Sequence, residues 1–196
     1  MKLNTHSNLA GQHAFLSPSN VHWIKYTDEK LLTVFENRVL AVERGTKLHE
    51  YACQAIELNR KQPKTKDTVC MYINDAIGYR MHPEQVLYYS NFCFGTTDAI
   101  VFDERKKLLR IHDLKTGEIP AHMDQLITYA ALFFLEYGQQ IKRDYNLDIS
   151  DISIELRIYQ KNEITPYFPT ADEILTRMDT IIRLDKVLQE RKAEEQ

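Results

Sequence analysis

Apolar positions along the chain change their spacing several times, and each change marks a new element. The first 15 residues are polar and aperiodic, which predicts a loose arm. Ser17-Pro18-Ser19 has the form of a helix start, with Ser17 at the N-cap and Pro18 at the first helical position. Helical spacing then runs over 31–59, with Gly45 as either an interruption or a close backbone contact. The polar stretch 62–67, which holds Pro63, predicts a loop. Between 85 and 115 the pattern shortens to β-rich runs at 86–89, 99–102 and 108–111, divided by polar breaks. Helical spacing returns over 120–137, dense in Ala, Leu and Phe, with Gly138 placed to end it. Ile152, Ile154, Leu156 and Ile158 alternate with polar neighbours, the mark of a half-buried strand. An amphipathic helix over 171–190 follows and passes into a charged tail at 191–196. Helices, a strand meander, a helix, a strand and a helix predict one α/β domain over 1–196, a central mixed β-sheet meander flanked by helices.

Composition narrows the class. The chain has 196 residues, 43% hydrophobic and 27% charged, enough to bury a core of its own. Its longest purely apolar run, 130–135, is too short to span a bilayer, and the N-terminus lacks the apolar core of a signal peptide. A cytoplasmic protein with no membrane partner is therefore expected. Cys53, Cys70 and Cys93 form no CxxC pair, which fits reduced thiols better than a zinc or iron–sulfur site. A net charge of −3 argues against a passive DNA-coating protein, but not against an enzyme that engages DNA locally through a metal ion. Two basic clusters stand out: Arg60, Lys61, Lys64 and Lys66, then Arg105, Lys106, Lys107 and Arg110. Each is either a phosphate contact or a solvated loop.

The chemistry concentrates near residues 95–117. If 104–107 form a four-residue hairpin loop, residue i pairs with residue 211 − i. Phe102 then faces Leu109, Ile100 faces Ile111, and Asp98 faces Asp113, with Lys115 on the face of Asp113 and Ile111. Directly opposed side chains lie about 5 Å apart, so two carboxylates ending an apolar stripe repel each other. A divalent cation answers that need best, and Lys115 answers it in part.

Gly95-x-x-Asp98, a short hairpin, Asp113-Leu114-Lys115-Thr116-Gly117 and Gln125-x-x-x-Tyr129 together resemble the nuclease motif of the RecB-type branch of the PD-(D/E)xK superfamily. Gly45-x-x-x-His49 is similar to that branch's upstream helical element, and Ser17-Pro18-Ser19 to the opening of some members. The resemblance implies a restriction-endonuclease-like core and a metal-dependent DNA nuclease. It implies Mg²⁺ or Mn²⁺ on Asp98, Asp113, the carbonyl of Leu114 and His49, with Lys115 positioning or deprotonating water. Gln125 and Tyr129 would brace the site or the substrate strand; by spacing alone, His122, three residues before Gln125, is either on that helix face or an exposed polar residue. The chain lacks the four cysteines of the branch's CRISPR-adaptation nucleases and any helicase motif, so it looks more like the phage or prophage recombination exonucleases. That likeness implies DNA as partner, a homo-oligomer, and a single-strand-annealing or recombination protein alongside. Two alternatives stay open: a silent nucleic-acid- or protein-binding module on the same fold, and an RNA-cleaving or restriction-like endonuclease.

Overall fold

The structure is a computed structural model, and it describes residues 15–16, 24–118 and 120–194, the side chains of Arg38 and Ala41 excepted. Apart from Phe15, the expected arm lies outside the described residues, as does the Ser17-Pro18-Ser19 helix start. Contacts divide the chain into two compact units, Met1–Arg44 and Gly45–Gln196.

In the first unit, α1 (Asp28–Phe35) is capped by Thr27, whose hydroxyl accepts from the Lys30 amide at 3.3 Å. It passes into a π turn at Glu36–Leu40. Phe15 rests edge-on against Phe35, with ring centroids 5.3 Å apart.

The second unit carries the rest of α2 (Ala41–Glu57), then α3 (Thr68–Tyr79), β1 (His82–Ser90), β2 (Cys93–Asp103), β3 (Leu108–Leu114), α4 (Asp124–Tyr145), β4 (Ser153–Gln160), β5 (Glu163–Tyr167) and α5 (Ala171–Glu194). The five strands form one mixed sheet in the order β1-β2-β3-β4-β5, with helices flanking it. β1, β2 and β3 are an antiparallel meander, α4 crosses over so that β4 lies parallel to β3, and β5 returns antiparallel. A large apolar core, including Leu109, Ile111, Leu126, Ala130 and Ile174, fills the space between the sheet, α4 and α5. A smaller one, with Ala52, Ile56, Tyr72, Ile73 and Leu114, lies where α2 and α3 meet the sheet.

Several local expectations are corrected. Gly138 does not end its helix: α4 runs on to Tyr145, burying Ile141, and Asn146 takes the left-handed cap position at φ 54°. Gly45 sits inside α2 rather than interrupting it. The charged tail is helical through Glu194. Helix α3 and strand β5 have no counterpart among the elements the apolar pattern predicts. α3 is capped by Asp67, whose carboxylate accepts from the Cys70 amide at 2.9 Å, and β5 is exposed along its whole length. All three cysteines are free thiols.

A polar network is buried on the α3 side of the sheet. The Tyr159 hydroxyl donates to Asp75 at 2.6 Å and lies 3.2 Å from His112 Nδ1, while Arg157 also reaches Asp75 at 3.0 Å. Burial, then the charges of Arg157 and Arg110, push the His112 pKa down to about 3, so the ring stays neutral. Arg110 pairs with Glu155 at 3.0 Å and lies over the Tyr79 ring, so of the second basic cluster it is a structural member, not a phosphate contact.

Candidate metal and catalytic site

The β2–β3 hairpin turns at 104–107, and its pairs from Asp103↔Leu108 to Ala99↔His112 follow the expected register. The ladder ends one pair short of Asp98 and Asp113. Asp98 instead turns its carboxylate to the backbone of β3, where the Leu114 amide donates to Oδ2 at 2.7 Å. Ladder pairing is also skipped on the other side of Asp98. β1 pairs Pro83 with Ala99 and Gln85 with Thr97, leaving Glu84 opposite Asp98 with a left-handed φ of 49°. Leu87, paired with Gly95, and Ile100 belong to the same core, although the step of five positions from Gly95 to Ile100 is odd. β2 therefore changes face between them, and the change brings the Asp98 carboxylate out at the interruption.

α2 supplies the next group. His49 Nδ1 lies 3.5 Å from Asp98 Oδ2, and its side chain is partly exposed. Donor atoms of His49, Glu84 and Asp98 all lie within 4.8 Å of one another. The contact with Asp98 raises the His49 pKa above its ordinary value against the opposing effect of burial, with further help from Asp98, Asp113 and Glu84 charges. Burial and then Asp98 raise the Glu84 carboxyl as well.

Asp113 is 2% exposed. Burial, then the Asp98 charge, push its carboxyl up to about 6 against the pull of Lys115 and His49. Lys115 Nζ lies 3.0 Å from each Asp113 oxygen. It hydrogen-bonds to Oδ1, and its direction leaves the buried Oδ2 without a hydrogen bond. The same ammonium donates to Gln125 Oε1 at 2.9 Å, and Gln125 Nε2 stands 3.5 Å from the Tyr129 hydroxyl. Thus Asp113, Lys115, Gln125 and Tyr129 form one chain of polar contacts. His122 does not join it, because α4 begins only at Asp124.

Two motif glycines are explained by close approach. A Cβ on Gly95 would meet the Tyr129 ring at 3.0 Å, and one on Gly45 would meet Thr116 Oγ1 at 3.0 Å. Gly95 admits the brace, and Gly45 lets α2 close on the segment that follows Lys115.

Glu84 is the residue that sequence reasoning missed. Its partnership with Asp98 follows only from the register about the Asn91 turn, which nothing in the apolar pattern singles out. The donor set of two carboxylates and one imidazole in His49, Glu84 and Asp98 suits a hard divalent cation such as Mg²⁺ or Mn²⁺. Comparison with protein-family models, curated proteins and solved structures gives no match.

Proposed function

We propose that this chain is a metal-dependent nuclease of the PD-(D/E)xK type that hydrolyses phosphodiester bonds in DNA, working from ends, in phage or prophage recombination, repair or replication. One observation carries the reading: Glu84 and Asp98, on neighbouring strands, bring carboxylate oxygens within 4.8 Å of a His49 nitrogen, and Asp113 on the next strand holds Lys115.

Asp98, Asp113, His49 and the Leu114 carbonyl would hold Mg²⁺ or Mn²⁺, with Glu84 as a further donor. When bound, that ion supplies Lewis acidity at phosphorus and a more acidic water. The protein's own groups do the rest. Asp113 gives up the proton its burial favours, and His49 serves in its neutral form. Lys115 has three donors; Asp113 and Gln125 occupy two, so one is left to orient a water or steady charge growing on a phosphoryl oxygen. Gln125 fixes the ammonium, and Tyr129, seated over Gly95, fixes Gln125.

The test is incubation with end-labelled linear DNA, closed circular DNA and RNA, with and without Mg²⁺. Mg²⁺-dependent loss of linear DNA alone is the expected result. Cutting of circles as well makes it an endonuclease, and preference for RNA changes the substrate. No cleavage of any of them defeats the reading and leaves a binding module.

A further inference from the structure

The β1–β2 hairpin continues outward from the Glu84–Asp98 level, and its exposed face is apolar. Val86, Tyr88 and Phe94 are 49%, 47% and 62% exposed, with Tyr88 paired to Phe94 across the ladder. The two rings stack, 6.3 Å between centroids and 27° between planes. Tyr88 lies four positions along the strand from Glu84, about 13 Å. Paired residues Val86 and Thr96 bring no charge between the two levels. Beyond the rings, Lys192 of α5 reaches over Phe92 at 5.6 Å, beside a groove of about 460 Å³ between the hairpin tip and the end of α5.

We propose that Tyr88 and Phe94 form a base-stacking platform for a single strand of nucleic acid whose phosphate occupies the Glu84–Asp98 end of the hairpin. This rests on the nuclease reading. The occupant follows from the order of chemistry along the face: carboxylates that would meet a phosphate through the proposed cation, then uncharged aromatic surface, then the Lys192 ammonium. A strand of nucleic acid has that sequence of needs, phosphate, planar bases, phosphate. A second copy of the chain fits less well. Three half-exposed side chains offer roughly 300 Å², against about 800 Å² per partner in a stable interface.

The test uses the full chain carrying Lys115→Ala to slow cleavage, with phosphorothioate linkages in the probes to block the remainder, Mg²⁺ present, and fluorescence anisotropy with three labelled probes: oligo-dT, an abasic strand of equal length, and a blunt duplex. Adding Tyr88→Leu and Phe94→Leu keeps apolar bulk but removes both rings. It should weaken oligo-dT binding by about tenfold for each ring and leave the abasic strand unchanged. A separate Phe94→Trp protein keeps a ring, and its added emission should be quenched by oligo-dT but not by the abasic strand. Equal oligo-dT affinity in a Leu variant of native melting temperature overturns the platform, as does emission unmoved by saturating oligo-dT. Either leaves DNA cleavage by the unsubstituted protein, and so the nuclease reading, standing. If that protein cuts no DNA and the blocked one binds no probe, both fall together. Self-association lost in the Leu variant with oligo-dT binding unchanged assigns the face to a second copy instead.

Discussion

Asp113 is a buried carboxyl whose pKa is raised, and this sets a measurable slope. Its pKa is about 6 in the folded chain and near 4 when unfolded. Between those values the folded state holds a proton that the unfolded state has released. The metal-free protein therefore has this group's full contribution below about pH 4 and loses it as pH rises to 6, on the order of 3 kcal/mol in all. His49, also raised, acts in the same direction in a higher window: its contribution is complete below about 6.5 and disappears as pH climbs through its folded value. Urea titrations in EDTA from pH 4 to 8 should show stability falling throughout. Asp113→Asn should flatten the lower half of that fall and stabilise the metal-free protein at pH 7, while abolishing cleavage; an unaltered lower slope would remove Asp113 as its cause. Lys115→Ala should fold and lose roughly 10²- to 10³-fold in cleavage rate, the loss typical of one well-placed charge-stabilising donor. A folded Lys115→Ala protein that cuts at the parent rate would contradict the role assigned to this ammonium.

The two motif glycines differ in what their neighbours can yield. At Gly95 the obstacle is the Tyr129 ring, so Gly95→Ala should push the ring off Gln125, cost about 1 kcal/mol or more, and slow cleavage by tenfold or more. At Gly45 the obstacle is one hydroxyl of Thr116, which can rotate, while Ala favours a helix interior by about 1 kcal/mol. Gly45→Ala should thus melt no lower than the parent; paired melting curves decide both, and the reverse order of effects would refute the contact argument. These elements also mark how far the sequence could be read. The β2–β3 register was legible because a four-residue turn and strict alternation left few choices. Glu84 was not, since its place depends on a ladder interruption with a left-handed residue, and no apolar period records that. Gly138 misled because the helix is held past it by burial of Ile141, a tertiary effect. β5 carries no alternation to read, being exposed at every position and holding Pro166.

Across the molecule, His49, Glu84 and Asp98 come from a helix and two strands that meet only when the sheet is assembled, so the proposed cation would bind the folded state alone. Saturating Mg²⁺ at one hundred times its dissociation constant should stabilise the chain by about 2.7 kcal/mol, a rise of several degrees in melting temperature for a chain of this size. His49→Ala should fold normally and shrink that rise. Asp98→Asn should raise metal-free stability slightly and blunt the response; a full response in either variant would place the ion elsewhere. The sheet's margins are covered or broken: the Tyr88 amide on β1 donates to Glu136 of α4 at 2.7 Å, and β5 carries Pro166. One strand ties these parts together. At the end of β3, Asp113 points to Lys115, Leu114 is fully buried in the α2–α3 core, and the Lys115 amide donates to the Tyr159 carbonyl at 2.9 Å. Over the course of descent, this strand cannot change length by one residue. A single deletion between Arg110 and Asp113 would exchange faces, setting a carboxylate into oil and a leucine beside Lys115. Loops such as 60–66 can drift, but related chains should keep the count from the β2–β3 turn to Lys115 even where nearly every other residue has changed.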